Sequence, residues 1–161
     1  MQKITPFLWY TSEAEEAAAF YTSLFPDSRI VSVSSLPSES PSGPAESVKV
    51  VEFVLFGQTF NAMSAGRLDP FNHAISFVVN CEDQAEIDLY WAALLDGGGA
   101  GQQCGWLRDR FGLYWQIVPK ALSQMMANAD RIRARRATDA MLQMVKIDIA
   151  ALQAAFDGKM A

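Results

Sequence analysis

The sequence of 161 residues predicts an α+β fold in which two βαβββ-type modules are followed by a C-terminal helical extension. Residues 4–25 and 73–95 share one pattern: an apolar strand, a short polar stretch that starts a helix, and an amphipathic helix ending near an aromatic pair. Strands with alternating polarity follow each segment. The chain is therefore predicted to be a duplicated unit.

The strand and helix signals place the boundaries of this single predicted domain. Module 1 spans about residues 3–64, a connector 65–72, a second module shortened by a strand about 73–119, and the helical tail 120–161. Strands are predicted at residues 4–10, 28–36, 48–55, 59–63, 73–79, 103–107 and 113–118. The first helix is expected to start at a hydroxyl cap in Thr11-Ser12-Glu13, and the last at Asp148.

Composition and charge restrict the class of protein. Thirteen Lys and Arg residues against eighteen Asp and Glu residues give a net charge of −5, which disfavours binding to nucleic acid or to an anionic membrane. No apolar run reaches the roughly 18 residues that span a bilayer, and the N-terminus lacks the pattern of a signal peptide. Cys81 and Cys104 lack metal-site or disulfide-framework spacing. We expect a soluble, cytoplasmic protein with reduced thiols.

A module of this kind has one sheet face covered by its helix and one face left open. Two such modules are predicted to enclose a cleft suited to a small ligand. Residues 37–45 contain three prolines and three serines, and we expect them to form a loop that is the best candidate for a lid over such a cleft.

Several segments resemble the PhnB-like branch of the vicinal oxygen chelate superfamily, which includes glyoxalase I, bleomycin-resistance proteins and extradiol dioxygenases. The resemblance covers residues 3 to about 157. It rests on ITPFLW at residues 4–9, FYTSLFP at 20–26, AISFVVNC at 74–81, QCGWL at 103–107 and, most specifically, FGLYWQIVP at 111–119. It implies the glyoxalase-like fold. The branch also carries the label 3-demethylubiquinone 3-methyltransferase, but the sequence lacks the Gly-rich loop after a strand that a nucleotide-like cofactor would need.

The resemblance also implies a possible divalent metal (Zn, Ni, Mn or Mg), held by one first-strand and one last-strand side chain from each module. These positions fall on His73 and Gln116 in the second module, and on Pro6 and, loosely, Asn61 in the first. Pro6 has no ligand atom in its side chain, whereas a catalytic zinc usually has three protein ligands. His73 and Gln116 are thus candidate metal ligands. The alternative for His73 is a strand-end histidine that packs and hydrogen-bonds locally, and for Gln116 it is a cleft-facing amide that binds substrate or a neighbouring backbone.

Two further residues carry candidate catalytic chemistry. Glu52 lies between apolar neighbours in a predicted strand, so it would suit a general base if it faced the cleft, or simply face solvent on an edge strand. Cys104 would be a nucleophile only with His73 to activate it, and is otherwise a buried inert thiol.

Strand alternation places Tyr114 and Gln116 on one face of their strand, and Leu113, Trp115 and Ile117 on the other. Aromatic faces combined with an amide favour a flat or apolar ligand with one or two polar atoms. The candidate ligand-binding residues are Trp9, Phe53, Asn61, Trp106, Tyr114 and Gln116. The alternative is that the aromatic side chains fill the core or a dimer interface.

The only strong basic cluster consists of Arg131, Arg133, Arg135 and Arg136, spread around one predicted helix. We interpret it as a solvated helix or a surface that pairs with an acidic partner subunit. The superfamily pairs modules within or between subunits, so the resemblance implies a homodimer. Two functions remain open: a metal-free protein that binds a small aromatic or apolar molecule, and a glyoxalase-like, metal-dependent lyase, isomerase or transferase acting on a small oxygenated substrate.

Overall fold

A computed structural model describes residues 2–66 and 69–159. The chain divides into two compact units, and the boundary between Pro70 and Phe71 falls within the predicted connector. The helical tail belongs to the second unit. None of the helices in these residues is both long and apolar enough to cross a membrane.

Unit 1 has the predicted order of one helix and four strands over its described residues. The elements are β1 (Phe7–Tyr10), α1 (Ala14–Leu24), β2 (Arg29–Ser35), β3 (Lys49–Leu55) and β4 (Gln58–Ser64). The sheet order is β1-β4-β3-β2, with β1 parallel to β4 and the other pairs antiparallel. A β-bulge interrupts the edge strand β2 between Ile30 and Ser32.

Helix α1 covers one face of this sheet. Its buried residues are Ala14, Ala17, Ala18 and Tyr21, and small side chains let a helix approach a sheet closely. The predicted hydroxyl cap is wrong. Glu13 is the N-cap residue and makes no side-chain cap, while the Ala14 N–H donates to Ser64 Oγ at the end of β4.

Unit 2 repeats this arrangement and adds the tail. Its elements are β5 (Phe77–Cys81), α2 (Gln84–Leu95), β6 (Ala100–Gly101), β7 (Trp106–Arg108), β8 (Tyr114–Pro119), α3 (Lys120–Met126), α4 (Arg131–Met141) and α5 (Ile149–Phe156). The sheet order β5-β8-β7-β6, with β5 parallel to β8, matches unit 1 strand for strand. The prediction that the second module lacks a strand is wrong, because β6 keeps its place in the sheet, although it has only two residues.

The starts of three strands differ from the predictions by three residues or more. The first strands of the two units begin at Phe7 and Phe77 rather than at residues 4 and 73. The predicted strand 103–107 is a 3-10 turn over Gln103–Gly105 followed by β7. Cys104 in this turn has φ 62, a left-handed backbone that a strand does not allow.

The tail is tied to unit 2 by backbone hydrogen bonds and a buried side chain. The N–H groups of Cys104 and Gly105 donate to the carbonyls of Met144 and Val145. Ile147, two residues further, is fully buried. Asp148 caps α5, as predicted, by accepting from Ala151 N–H.

The arginine cluster of α4 is engaged within the tail. Arg131 donates to the Met126 carbonyl at the end of α3. Arg136 donates to the last carbonyls of α5, at Ala155 and Phe156, where the helix dipole is negative. Arg133 pairs with Asp157. Three of the four arginines therefore contact the C-terminal ends of α3 and α5, and the predicted pairing with a partner subunit stays a prediction.

Candidate functional site

The face of the unit 1 sheet that α1 leaves uncovered carries large apolar side chains. We call it the unit 1 open face and define it by Phe7, Trp9, Val50, Glu52, Asn61 and Met63. The side chains of Leu8 and Tyr10 point the other way and are buried. In contrast, Phe7 is 53% and Trp9 37% exposed. Strand alternation explains this division, because successive side chains point to opposite faces.

Glu52 and Asn61 are neighbours in the middle of this face. They are cross-strand partners on β3 and β4, and Asn61 pairs in turn with Phe7 on β1. Glu52 is half-buried, and β3 lies between β4 and β2. The prediction of an edge-strand position for Glu52 is therefore wrong, and its carboxylate shares a face with an amide and an aromatic ring.

The equivalent face of unit 2 carries Val78, Trp106, Arg108, Tyr114 and Gln116, which we call the unit 2 open face. The predicted alternation along β8 is confirmed: Trp115 and Ile117 are buried, while Tyr114 and Gln116 are half-buried. Gln116 pairs with Val78 on β5 and with Trp106 on β7. This face therefore also combines an amide with apolar and aromatic surface.

Local hydrogen bonding orients the Gln116 amide. Its Nε2 donates to Ser76 Oγ at 2.9 Å. Ser76 directly precedes β5, and alternation from Val78 places its side chain on the same face. Because this hydrogen bond holds the NH₂ group of Gln116, it also fixes the direction in which the carbonyl oxygen of the same amide points. Ser76 was not among the predicted site residues, although this alternation would have found it.

His73 lies beside the same face. Its side chain is exposed and its imidazole stands edge-on to the Tyr114 ring, with the ring centroids 6.0 Å apart. His73 precedes β5 by four residues rather than beginning the strand. The ring contact therefore holds His73 near the strand that carries Gln116.

The two amides occupy equivalent positions in the duplicated topology. Asn61 on β4 and Gln116 on β8 each lie on the last strand of a unit. Each pairs with the first strand on one side and the third strand on the other. The third-strand partner is Glu52 in unit 1 and Trp106 in unit 2. The units thus share a carboxamide at this position and differ in its neighbour.

Two predicted site residues lie away from these faces. Phe53 is fully buried on the α1 side of the sheet, stacked on Phe60 at a centroid distance of 5.5 Å. Cys104 lies in the 3-10 turn, half-exposed, with its N–H bound to the Met144 carbonyl. Phe53 is therefore a packing residue. The nucleophilic role of Cys104 stays a prediction.

The donor set of unit 2 does not complete a catalytic metal site by itself. Within residues 2–66 and 69–159, no three His, Cys, Asp or Glu side chains converge to hold an ion. His73 and Gln116 supply one imidazole and one neutral amide, whereas a catalytic zinc usually has three protein ligands and prefers nitrogen, thiolate or carboxylate donors. The metal-binding role of His73 and Gln116 remains a prediction.

A family model matches most of the chain. The model, described as 3-demethylubiquinone-9 3-methyltransferase, matches residues 2–118, which include both sheets up to β8 and end before α3. A search of curated proteins gave no significant match.

Solved structures show the same fold. A putative 3-demethylubiquinone-9 3-methyltransferase, PhnB protein, from Bacillus cereus is 35% identical, with a TM-score of 0.64 over 73% of this chain and 99% of that one.

More distant neighbours share only the architecture. The fosfomycin resistance protein FosX from Mesorhizobium loti is 15% identical, with a TM-score of 0.57 over 80% of this chain and 100% of that one. The trypanothione-dependent glyoxalase I of Leishmania major is 12% identical, with a TM-score of 0.52 over 84% and 97%. Taken with the duplicated sheet topology, these matches show that the chain belongs to the PhnB-like family described as 3-demethylubiquinone-9 3-methyltransferase, within the vicinal oxygen chelate superfamily.

Proposed function

We propose that this protein binds a small aromatic or apolar molecule against the unit 1 open face. The observation that carries the proposal is the exposure of Phe7 and Trp9 on the same sheet face as Asn61. Large exposed apolar side chains that cluster on one face mark binding surfaces more often than they mark ordinary protein surface.

The chemistry of this face suits a flat ligand with one or two polar atoms. The rings of Phe7 and Trp9 offer apolar surface, and burying it against a ligand gains roughly 25 cal/mol per Å². Asn61 can both donate and accept a hydrogen bond, and Glu52 beside it accepts hydrogen bonds from ligand hydroxyl or N–H groups. Apolar contacts thus supply affinity, and the polar pair supplies orientation.

The unit 2 open face has the same character. Val78 is exposed, and Trp106 and Tyr114 add half-buried aromatic surface around Gln116. Its amide is already oriented by Ser76. A face of this composition supports the same class of ligand, since a preorganised polar group loses little entropy on binding.

The proposal is restricted to binding. The methyl transfer named in the family description requires a bound methyl donor. The Gly97-Gly98-Gly99 run follows α2, whereas a nucleotide-like cofactor site has its Gly-rich loop between a strand and the start of a helix.

Ligand binding is tested by a thermal-shift screen with aromatic metabolites and hydrophobic antibiotics, followed by titration of each hit. We expect Trp9→Ala to weaken binding at least about tenfold, because it removes the largest ring of the face. Leu89→Ala, an exposed apolar residue of α2, is the matched control and should leave affinity unchanged. Absence of any hit, or equal affinity in Trp9→Ala, would refute the proposal.

Elemental analysis of the purified protein separates this proposal from the metal-dependent enzyme. Metal-free binding predicts less than about 0.2 equivalents of zinc, nickel or manganese per chain. A stoichiometric metal that is lost in His73→Ala would favour the metal-dependent alternative and establish His73 as a ligand.

A further inference from the structure

A row of polar side chains runs from β2 into the middle of the unit 1 open face. Ser32 on β2 is the cross-strand partner of Glu52 on β3, and Glu52 is in turn the partner of Asn61 on β4. Directly opposite residues of antiparallel strands point to the same face of a sheet, so the hydroxyl, the carboxylate and the amide lie side by side. Phe7, the partner of Asn61 on β1, ends the row with an aromatic ring.

The carboxylate in this row has no partner among the described residues. Within residues 2–66 and 69–159, no hydrogen bond or ion pair reaches the side chain of Glu52, which is half-buried. Every fully buried side-chain oxygen in the same part of the chain has a hydrogen-bond partner. The unpaired oxygens of Glu52 therefore reach solvent and are open to a ligand.

Two basic residues lie near Glu52 in the sheet, but neither forms an ion pair with it. Lys49 is three positions away along β3, so alternation places it on the opposite face. Arg29 pairs with Val54 near the end of β3, and the bulge in β2 adds a residue between Arg29 and Ser32. Neither cation therefore compensates the negative charge of the carboxylate.

A ligand that lies across this face removes water from the Glu52 carboxylate. Desolvating an unpaired charge is unfavourable, and the hydrogen bonds of a neutral molecule offset only part of this penalty. A protonated amine offsets more of it, because its hydrogen bond to a carboxylate is charge-assisted and becomes stronger where water is excluded. Asn61 beside it offers a carbonyl oxygen to a second N–H of the same ammonium group.

We propose that the unit 1 open face selects ligands in which a protonated amine is attached to an aromatic or apolar body. The amine donates to Glu52 and to the Asn61 carbonyl, while the body covers the rings of Phe7 and Trp9. Adjacent strands are about 4.8 Å apart, so β1 and β3 are separated by roughly 9.6 Å, a distance that an arylalkylamine spans. The inference rests on the proposed ligand binding and adds to it the charge of the ligand.

The equivalent face of unit 2 has a different charge. Gln116 takes the place of Asn61, and its third-strand partner is Trp106 instead of a carboxylate. Arg108, two residues further along the same strand, lies on the same face and repels a cation. The preference for an amine is therefore specific to unit 1.

Isothermal titration of matched ligand pairs measures this preference. The pairs are tryptamine with tryptophol, tyramine with tyrosol, and phenethylamine with phenethyl alcohol, in which an ammonium group replaces a hydroxyl on the same ring and linker. We expect the wild-type protein to bind the amine of at least one pair at least about tenfold more tightly than its alcohol. Absence of a preference for the amine in every pair would overturn the inference.

The variant Glu52→Gln tests whether the carboxylate causes the preference, because it keeps the size of the side chain and removes its charge. It should lower the affinity for the amine at least about tenfold without lowering the affinity for the alcohol. Glu15→Gln, on the exposed side of α1, makes the same charge change away from the face and should leave both affinities unchanged. Wild-type affinity for the amine in Glu52→Gln, or an equal loss in Glu15→Gln, would contradict the role of Glu52.

The same titrations separate the charge preference from the proposed function. Alcohols that bind as tightly as the amines, and that lose affinity in Trp9→Ala, would refute the preference and leave ligand binding by this face intact. If no member of any pair binds and the wider thermal-shift screen also gives no hit, both proposals fail. The melting temperature shows whether each variant remains folded, and the wild-type comparison depends on no variant.

Discussion

The hairpins β3–β4 and β7–β8 occupy the same place in the two units but are closed by different means. In unit 1 the turn is Phe56-Gly57, where both residues have positive φ, 47 and 79. That is the backbone of a two-residue turn whose twist suits a hairpin. Gly adopts it freely, but Phe does so at a cost in conformational energy.

In unit 2 the turn is closed by a buried side chain. Asp109 is 1% exposed, and its carboxylate accepts hydrogen bonds from the N–H groups of Phe111 and Leu113 and from Trp115 Nε1. Trp115 is itself a core residue of β8. The unit 1 turn therefore depends on two backbone angles, whereas the unit 2 turn depends on a carboxylate that is also bound to the core.

The largest effect is expected for Asp109→Ala. Removing the carboxylate leaves its buried N–H donors without their acceptor, and each unsatisfied donor costs about 1–3 kcal/mol. We expect the free energy of unfolding, measured by urea denaturation, to fall by about 3 kcal/mol or more. Asp109→Asn, which keeps one acceptor oxygen, should lose less. A loss below about 1 kcal/mol in Asp109→Ala would show that the turn does not depend on this side chain.

The matching substitution in unit 1 is Gly57→Ala. Apart from Gly57 itself and its two chain neighbours, no residue has an atom within 4 Å of the position that a Cβ would take, so the substitution introduces only backbone strain at φ 79. We expect a loss of about 1–2 kcal/mol in the same urea experiment. A loss as large as that of Asp109→Ala would remove the contrast between the two turns.

The last residue of the first strand also differs between the units. Tyr10 ends β1, and its hydroxyl lies 3.4 Å from that of Tyr21, while Cys81 ends β5 with its Sγ–H donating to the Val79 carbonyl. Burial raises the pKa of the Cys81 thiol from its ordinary 9.0 to about 12, with smaller contributions from the charges of Glu86 and Asp83. Between these two pKa values, the thiol therefore stays neutral in the folded protein but ionises in the unfolded chain.

This pKa shift predicts a pH dependence of stability. The contribution of Cys81 is complete below pH 9 and is lost as the pH rises from 9 towards 12, because only the unfolded chain releases the proton. Between pH 8 and 10, wild-type protein should lose about 1 kcal/mol more unfolding free energy than Cys81→Ala. Equal losses in both proteins would show that the thiol is not protected from ionisation by the fold.

The smallest expected effects concern the starts of the two helices. Helix α2 is capped by its own Asp83, which accepts from Glu86 N–H, whereas α1 relies on Ser64 of β4. Asp83→Ala should lower the free energy of unfolding by about 1 kcal/mol, and Ser64→Ala by about as much, because the N–H that Ser64 caps belongs to the buried residue Ala14. If Ser64→Ala costs more than Asp83→Ala, the tertiary hydrogen bond is the stronger cap.

Much of the architecture could be predicted from the periodicity of apolar residues. Local patterns predict the duplication and the order of strands and helices along each module. They also place Tyr114 and Gln116 on the opposite face of their strand from Trp115. This works because alternation and helical spacing are properties of neighbouring residues. The starts of strands were predicted less accurately. The first strands begin at Phe7 and Phe77, later than predicted, because apolar residues that precede a strand resemble part of it.

The candidate site was only partly predictable. The aromatic and amide residues were found from their types, but Phe53 was assigned to the site although it packs under α1, and Ser76 was missed. Which face of a strand a helix covers is decided by the packing of distant elements. The interior position of β3, which determines the surroundings of Glu52, likewise depends on strand pairing across the sheet.

By itself, the amino-acid sequence determined that this chain folds as a repeated α+β unit with a helical tail, because hydrophobic periodicity specifies which residues must leave water. Only the tertiary structure decided which polar groups meet. It brought Asp109 to Trp115, Ser64 to α1, Gln116 to Ser76 and the arginines of α4 to the end of α5. These contacts join residues whose proximity depends on chain packing, since a buried polar group accepts whichever partner the fold places within hydrogen-bond distance.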